Sequence, residues 1–306
     1  MPFRMADTIS GLADEPGNPN ALIQSNGYNN KEVSLLKAGD KDSEGNAIMH
    51  SFWAPEIHEI DGRLTILFMA GYGNTWSNGK SVYMQLKQDA DGHDLDPTDP
   101  DNWTVPTPIY RNDASLLNGN KQLAATASGG VGMSLDMTYF QDADGRSYYA
   151  GQQLGATYIA TMDPKDPAHV TSSPVRIVTP EYAWNAAIAE GPNVTLRDGK
   201  LYLMFSGSGV GKTYTTGLAV ADASGTDLTD PASWTVLNYP IQKSGPFNGE
   251  MQLGTGHGMW SEDEDGNQIY VFHAYATKNL GSVNAAGRDM FVRRVHWAAD
   301  GMPVFD

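Results

Sequence analysis

The sequence predicts an all-β chain folded as a β-propeller, and three observations carry the expectation. Helical periodicity is hard to find, whereas short β-rich runs broken by Asp-Gly, the strongest local hairpin cue, recur along the chain. The 306 residues include 33 Gly and 17 Pro together with 14 Tyr, 9 Phe and 7 Trp, a mixture suited to many short strands and tight turns. Four longer segments also share one layout: a polar or acidic start, a strand, Asp-Gly, then an apolar strand. The turns at Asp61, Asp144, Asp198 and Asp265 are unevenly spaced, which a solenoid would not tolerate. Propeller blades, four-stranded antiparallel sheets with rim loops of variable length, accept that unevenness.

Residues 1–48 come first and offer only the weak strand signal EVSLLKA from Glu32 and the Gly/Pro/Asn-rich stretch GLADEPGNPNA from Gly11. That is too little for a blade of two hairpins. The first full unit, 49–111, contains WAPEIHEIDGRLTILFMA from Trp53 and a later strand after DPDNWTVP from Asp99. Asn112 to Gly132 is polar and small, and reads as a long connection. The second unit, 133–180, contains SLDMTYFQDADGRSYYAG from Ser134 and MDPKDPAHV from Met162. The third, 185–245, contains AEGPNVTLRDGKLYLMFSG from Ala189 and DPASWTVL from Asp230. The last, 250–305, contains GHGMWSEDEDGNQIYVFHA from Gly256. The whole reads as one domain spanning 1–306.

Charge and composition exclude several classes of function. With 36 Asp+Glu against 20 Lys+Arg the net charge is −16, which repels phosphate backbones and argues against nucleic-acid binding. The absence of cysteine excludes disulfides, a thiolate nucleophile and Cys-ligated metal. No apolar run approaches the roughly 20 residues that span a bilayer, so no membrane partner is expected. The start, MPFRMADTISGLADEP, lacks an apolar signal core. If that start is genuine a cytoplasmic location is expected; a longer parent would admit an extracellular one.

The chemistry should lie where the innermost strands begin, because those residues open onto one face of the central channel. Trp53–Glu56, Asp136, Glu190 and His257 occupy those positions. Three look-alikes are set aside. Ser206–Thr213 nearly spells a P-loop, but Ser206 stands where Gly is needed and the continuation TYTTGLAVA is β-rich. DADGHDLD from Asp89 and EDEDG from Glu262 lack calcium-loop spacing and read as hairpin turns or a solvated acidic face. Asn102 and Asn193 begin chance glycosylation patterns.

Phe52-Trp53-Ala54-Pro55-Glu56-Ile57, Ser134-Leu135-Asp136, Glu190-Gly191-Pro192, Gly254-Thr255-Gly256-His257 and Gly287-Arg288, in that order, resemble the landmarks of glycoside hydrolase family 43. The resemblance runs from Thr8-Ile9-Ser10-Gly11-Leu12 to the terminal stretch Trp297–Phe305. It implies a five-bladed propeller that hydrolyses arabinofuranosides or xylosides with inversion, one carboxylic acid protonating the leaving oxygen and a second carboxylate activating water. It places the general acid at Glu190 and, at Asp136, the carboxylate that raises the acid's pKa and orients it. Trp53, Glu56, His257 and Arg288 are implied substrate contacts, with Trp53 at the pocket floor, Glu56 in support and Arg288 reaching the sugar hydroxyls. No cofactor is required; the resemblance also admits a Ca²⁺-like ion on His257, completed by water.

The family's general base is an Asp in an Asp-Pro context on the first strand of the first blade, and the chain begins after the matching segment. The expectation is therefore a propeller with an incomplete first blade and with the base upstream of Met1. The expected partners are arabinose- or xylose-containing oligosaccharides of plant type. Phrases such as TISGL, WAPEI and EGP favour an exo-acting α-L-arabinofuranosidase. A β-xylosidase and a non-catalytic carbohydrate-binding propeller are the alternatives.

Overall fold

A computed structural model describes residues 1–12, 30–73, 79–111, 122–123, 135–276 and 287–305. Its strands form four multi-stranded sheets in a propeller-like arrangement and one two-stranded sheet. The two-stranded sheet pairs β1 (Pro2–Ala6) with β2 (Asn30–Ser34). The first large sheet holds β3 (His50–Ile60), β4 (Arg63–Gly71), β5 (Gly79–Gln85) and β6 (Thr107–Pro108) in that order.

The second large sheet runs β7 (Tyr110–Arg111), β8 (Gln122–Leu123), β9 (Leu135–Gln141), β10 (Ser147–Gln153), β11 (Ala156–Met162), β12 (His169–Val170) and β13 (Val175–Val178) in chain order. Here β7 pairs in parallel with β12, so the chain enters this sheet from its outer edge before β9 forms the inner one. The third sheet holds β14 (Ala189–Arg197), β15 (Lys200–Gly207), β16 (Thr215–Asp222) and β17 (Thr235–Val236). The fourth holds β18 (Gly245–Phe247), β19 (Glu250–Glu262), β20 (Gln268–Tyr275), β21 (Arg288–Trp297) and β22 (Pro303–Phe305).

Four blade-like sheets, not five, are present among the described residues. Where the resemblance implied another blade, the described residues of 1–48 form the β1–β2 pair. This small sheet is not idle. Met1, Leu35 and Leu36 are buried against Ile66, Phe68, Ala70 and Val82 of the β3–β6 sheet. At its far end the Ile9 amide donates to Glu264 of the fourth sheet at 3.2 Å. Most of the connection from Asn112 to Gly132 lies outside the described residues, as does the stretch rich in Gly, Pro and Asn after Leu12.

The sheets pack face to face in sequence order, which explains why their second strands read as unbroken apolar runs. Ile60 and Leu67 meet Met137, Tyr149 and Tyr158. On the far side of the second sheet, Phe140, Tyr148 and Ile159 meet Leu201, Leu203 and Phe205. The next interface joins Tyr202, Met204 and Leu218 to Trp260, Tyr270 and Phe272. A strand such as β4 is sandwiched between neighbours, so Leu67 points one way while Ile66 and Phe68 point the other. Each such fully buried side chain contributes about 1.5–3 kcal/mol.

The turns follow the repeat. Asp61-Gly62 and Asp198-Gly199 form two-residue hairpin turns with positive φ at both positions (52° and 68°; 48° and 75°), the geometry Asp-Gly favours. The other two Asp-Gly pairs sit in five-residue loops. In these, Asp142 and Asp263 accept the amides two and four residues ahead at 2.7–3.1 Å. Asp89 does the same in the DADGH loop, whose ends are bridged by Gln88 and Asp94, so that segment is a hairpin turn. In both DPxxW phrases the Asp caps a short 3-10 turn and the Trp is buried, its indole nitrogen donating to Pro97 or Leu228 at 2.9 Å. Among the described residues no helix is long and apolar enough to cross a membrane.

Candidate active site

One irregularity recurs in all four sheets, and it builds the site. Near its start each inner strand carries one extra residue relative to its neighbour: between Trp53 and Glu56, Leu135 and Thr138, Glu190 and Asn193, and Gly256 and Met259. These are β-bulges, which bend the strand and re-aim side chains. In every case the second residue of the bulge lies in the left-handed region: Ala54 (φ 47°), Asp136 (56°), Gly191 (57°) and His257 (50°). Non-glycine residues at positive φ cost about 1–3 kcal/mol, and Asp and His tolerate the region better than most. The quasi-equivalent positions thus carry different chemistry, a carboxylate in one sheet, an imidazole in another, with the Glu190 carboxyl one place earlier in the third.

Asp136 and Glu190 are brought together by these bulges. The Gly191 amide donates to Asp136 Oδ2 at 3.0 Å, so the two carboxyl groups sit on adjacent inner strands linked through one backbone N–H. Both are buried, at 5% and 6% exposure. Burial pushes Glu190 up to about 7; the Asp136 charge adds to this, and the Tyr214 hydroxyl, His257 and Arg288 oppose it. Burial likewise pushes Asp136 up to about 7, against the pull of the Gly191 amide and with a push from Glu56. Desolvation and like charge, two separate causes, act in the same direction.

Glu56 is also buried, but its Oε2 is engaged by His58 Nε2 at 2.8 Å and by Asn193 Nδ2 at 3.2 Å. His58 lies two residues along β3 and so on the same face. Asn193 passes the link on, its Oδ1 accepting the Trp260 amide at 2.8 Å. Glu56 therefore ties the first, third and fourth inner strands to one another. Trp53 is 44% exposed, so it is no core residue; its ring is open at the strand start.

His257 is half-buried beside Gly191, where an added Cβ would lie 3.3 Å from the imidazole. Its backbone amide donates to Ser206 Oγ at 2.6 Å. Burial lowers its pKa, Glu190 and Glu56 oppose that, and Arg288 adds to it. The described residues gather no set of three close His, Asp or Glu ligand atoms there; the one such set is the exposed Asp89, Asp91 and His93. The charged neighbours of His257 are Glu190, Glu56 and Arg288, and the chemistry below is built from these side chains alone.

Arg288 donates from a guanidinium nitrogen to His273 Nε2 at 2.8 Å. His273 is held neutral, its pKa pushed down to about 3 by burial, with Arg288 and His257 adding. Its ring stacks on Tyr214 at 5.7 Å, and the Tyr214 hydroxyl donates to Glu190 Oε1 at 2.6 Å. Sequence reasoning missed Tyr214, His273, Ser206, Asn193 and His58. Alternation along QIYVFHAY marks His273 as a polar residue in an apolar strand, a usable signal. Tyr214 carries no such mark, since it follows the rim loop beginning at Ser208.

The profile of glycosyl hydrolases family 43 matches residues 26–303. The chain belongs to that family. It is 28% identical over 313 residues to the extracellular exo-α-(1→5)-L-arabinofuranosidase of Streptomyces avermitilis, a match covering 99% of this chain and 56% of that protein. It is 29% identical over 267 residues to α-L-arabinofuranosidase 43 of Humicola insolens, covering 83% of this chain and 49% of that protein. The chain thus spans about half the length of these relatives. The crystal structure of an α-L-arabinofuranosidase from Lactobacillus brevis superposes with a TM-score of 0.70 at 25% identity, over 91% of this chain and 82% of that one.

Proposed function

We infer that this family 43 chain is an inverting glycoside hydrolase acting on plant-type glycans, and that its reaction is exo-acting α-L-arabinofuranoside hydrolysis. One observation carries the reading: two buried carboxyl groups, Asp136 and Glu190, coupled through the Gly191 amide and both raised to about 7. A carboxyl that keeps its proton near neutrality can donate it to a departing glycosidic oxygen. Glu190 takes that part. Asp136 raises the acid's pKa by like-charge repulsion and, through Gly191, fixes the bulge on which Glu190 is carried. Arabinofuranose is preferred because both curated relatives and the Lactobacillus brevis structure are named for it.

Substrate contacts follow from placement. Trp53 offers an open indole face to the apolar side of a sugar ring, while Arg288, braced by His273, and His257 offer donors to hydroxyls. Glu56 supports the site by joining three inner strands. Inversion also requires a base to activate water. No described carboxylate is assigned to that role, because Glu56 is engaged by His58 and Asn193. We read β1–β2 as the part of a fifth, first blade belonging to residues 1–48, since it covers the β3–β6 sheet and reaches the fourth sheet through Glu264.

The test compares nitrophenyl α-L-arabinofuranoside with nitrophenyl β-D-xyloside, and follows the anomer first released by proton NMR. Release from the arabinofuranoside with inverted configuration is expected. Hydrolysis of neither substrate overturns the reading; arabinose binding by calorimetry without turnover would make the chain a sugar-binding propeller.

A further inference from the structure

A run of polar groups leads from the fourth inner strand to the proposed acid. It starts at the His257 bulge, whose amide donates to Ser206 Oγ at 2.6 Å. The Ser206 hydroxyl adjoins the Tyr214 phenol and lowers its pKa, against the larger upward push of burial, Glu190 and Asp136. The phenol donates to Glu190 Oε1 at 2.6 Å. Ser206 and Tyr214 are fully buried, so no water competes for these groups. The ring is fixed on two sides: His273 stacks on it at 5.7 Å and 11°, and a side chain at Gly256 would overlap it. His273 is itself braced by Arg288 at 2.8 Å.

We propose that Tyr214, stacked on His273 and packed against Gly256, is a positioning residue that fixes Glu190 and reserves its Oε2 for the transferable proton. A protonated carboxyl carries one proton. With Oε1 already accepting the phenolic hydrogen, that proton belongs on Oε2, and the oxygen aimed at the leaving group is decided before substrate arrives. The same bond limits how far burial raises the acid. Burial and Asp136, from β9, favour the neutral form; Tyr214, His257 from β19 and Arg288 from β21 favour the anion, and Glu56 from β3 acts on Asp136. The stacked His273 keeps a second charge away from the phenol by staying neutral. This rests on the assignment of Glu190 as the acid made above, but its test does not require turnover.

The experiment is a pH titration of the full chain labelled with carboxyl-¹³C glutamate, the Glu190 resonance being identified by its loss in Glu190→Gln. Wild type should titrate near 7. In Tyr214→Phe, which keeps the buried ring, the midpoint should rise by about one pH unit, since a hydrogen bond to a charged acceptor is lost. Ser206→Ala should move it less and in the same direction. Circular dichroism confirms that each variant is folded. The alkaline limb of kcat should follow the midpoint upward in both variants. An unchanged or lowered midpoint in folded Tyr214→Phe overturns the proposal, even if the enzyme is active. A raised midpoint in a chain that hydrolyses no glycoside supports it while removing the catalytic reading of the site.

Discussion

The two ends of the inner strands treat carboxylates in opposite ways. At one end of β9, Asp136 sits in a bulge with one amide for company, buried and raised to about 7. At the other, Asp142 follows the strand and is equally buried, yet it accepts the Asp144 and Arg146 amides, the Arg146 guanidinium at 2.6 Å and the Tyr148 hydroxyl at 3.1 Å. The fourth sheet repeats the pattern. Asp263, in its turn, is lowered by Asn267 hydrogen bonds, while the bulge end of β19 carries His257. Burial alone therefore does not make a carboxylate reactive. A saturated shell of donors makes it a structural staple; an unsaturated one leaves it able to hold and release a proton.

The largest effect that would test this contrast is on turnover. Glu190→Gln should lower kcat by about 10²–10⁴-fold on an unactivated arabino-oligosaccharide. The loss should be smaller on the nitrophenyl glycoside, whose leaving group departs without protonation. Equal losses on both would argue against Glu190 as the acid.

At the turn end, Asp142→Ala strands four donors and should destabilise the fold by about 2–4 kcal/mol in urea unfolding. The titration of Glu190 should not change. A shift there would mean that the two ends are not independent.

A third test exploits the sign of the linkage. In the unfolded chain Asp136 ionises near 3.8, whereas in the fold it holds its proton to about 7. The stability tied to this group is full below the unfolded value and is lost as pH rises through the folded one. Asp136→Asn, which keeps an acceptor for the Gly191 amide, escapes that loss. Its Tm should match wild type near pH 4 and exceed it by a growing margin toward pH 8, equivalent to roughly 1–3 kcal/mol. A constant difference across pH would contradict the raised pKa.

The smallest effect separates two glycines at positive φ. Gly62→Ala, in open space at a hairpin turn, should cost about 1 kcal/mol and leave kcat intact. Gly191→Ala carries a similar backbone cost but crowds the His257 imidazole, so kcat should fall as well. Loss of activity in Gly62→Ala would show that the turn end matters to the chemistry.

Much of the architecture was legible because it is written in local patterns. Asp-Gly with flanking apolar alternation marks hairpins at Asp61 and Asp198, and two copies of DPxxW mark the same capped turn because Asp, Pro and Trp each act within a few residues. Asp136, Glu190 and His257 could be singled out because strand starts in a repeat are recognisable positions. The blade count was not so readable. Whether residues 1–48 make a blade depends on what covers Ile66 and Phe68 of the β3–β6 sheet, and among the described residues that is the β1–β2 pair with Met1, Leu35 and Leu36 beside it.

The sequence by itself determined the class of fold, the turn chemistry and which carboxylates stand at the starts of the inner strands, since these depend on spacing and residue type over short stretches. Only the tertiary structure decided the protonation chemistry. The bulges put Gly191 under Asp136, and the packing of β15, β16 and β20 puts Ser206, Tyr214 and His273 behind Glu190. Ser206, Tyr214 and His273 lie between 16 and 83 residues from Glu190 along the chain. Desolvation and hydrogen bonding depend on what is near in space, and no local pattern encodes that.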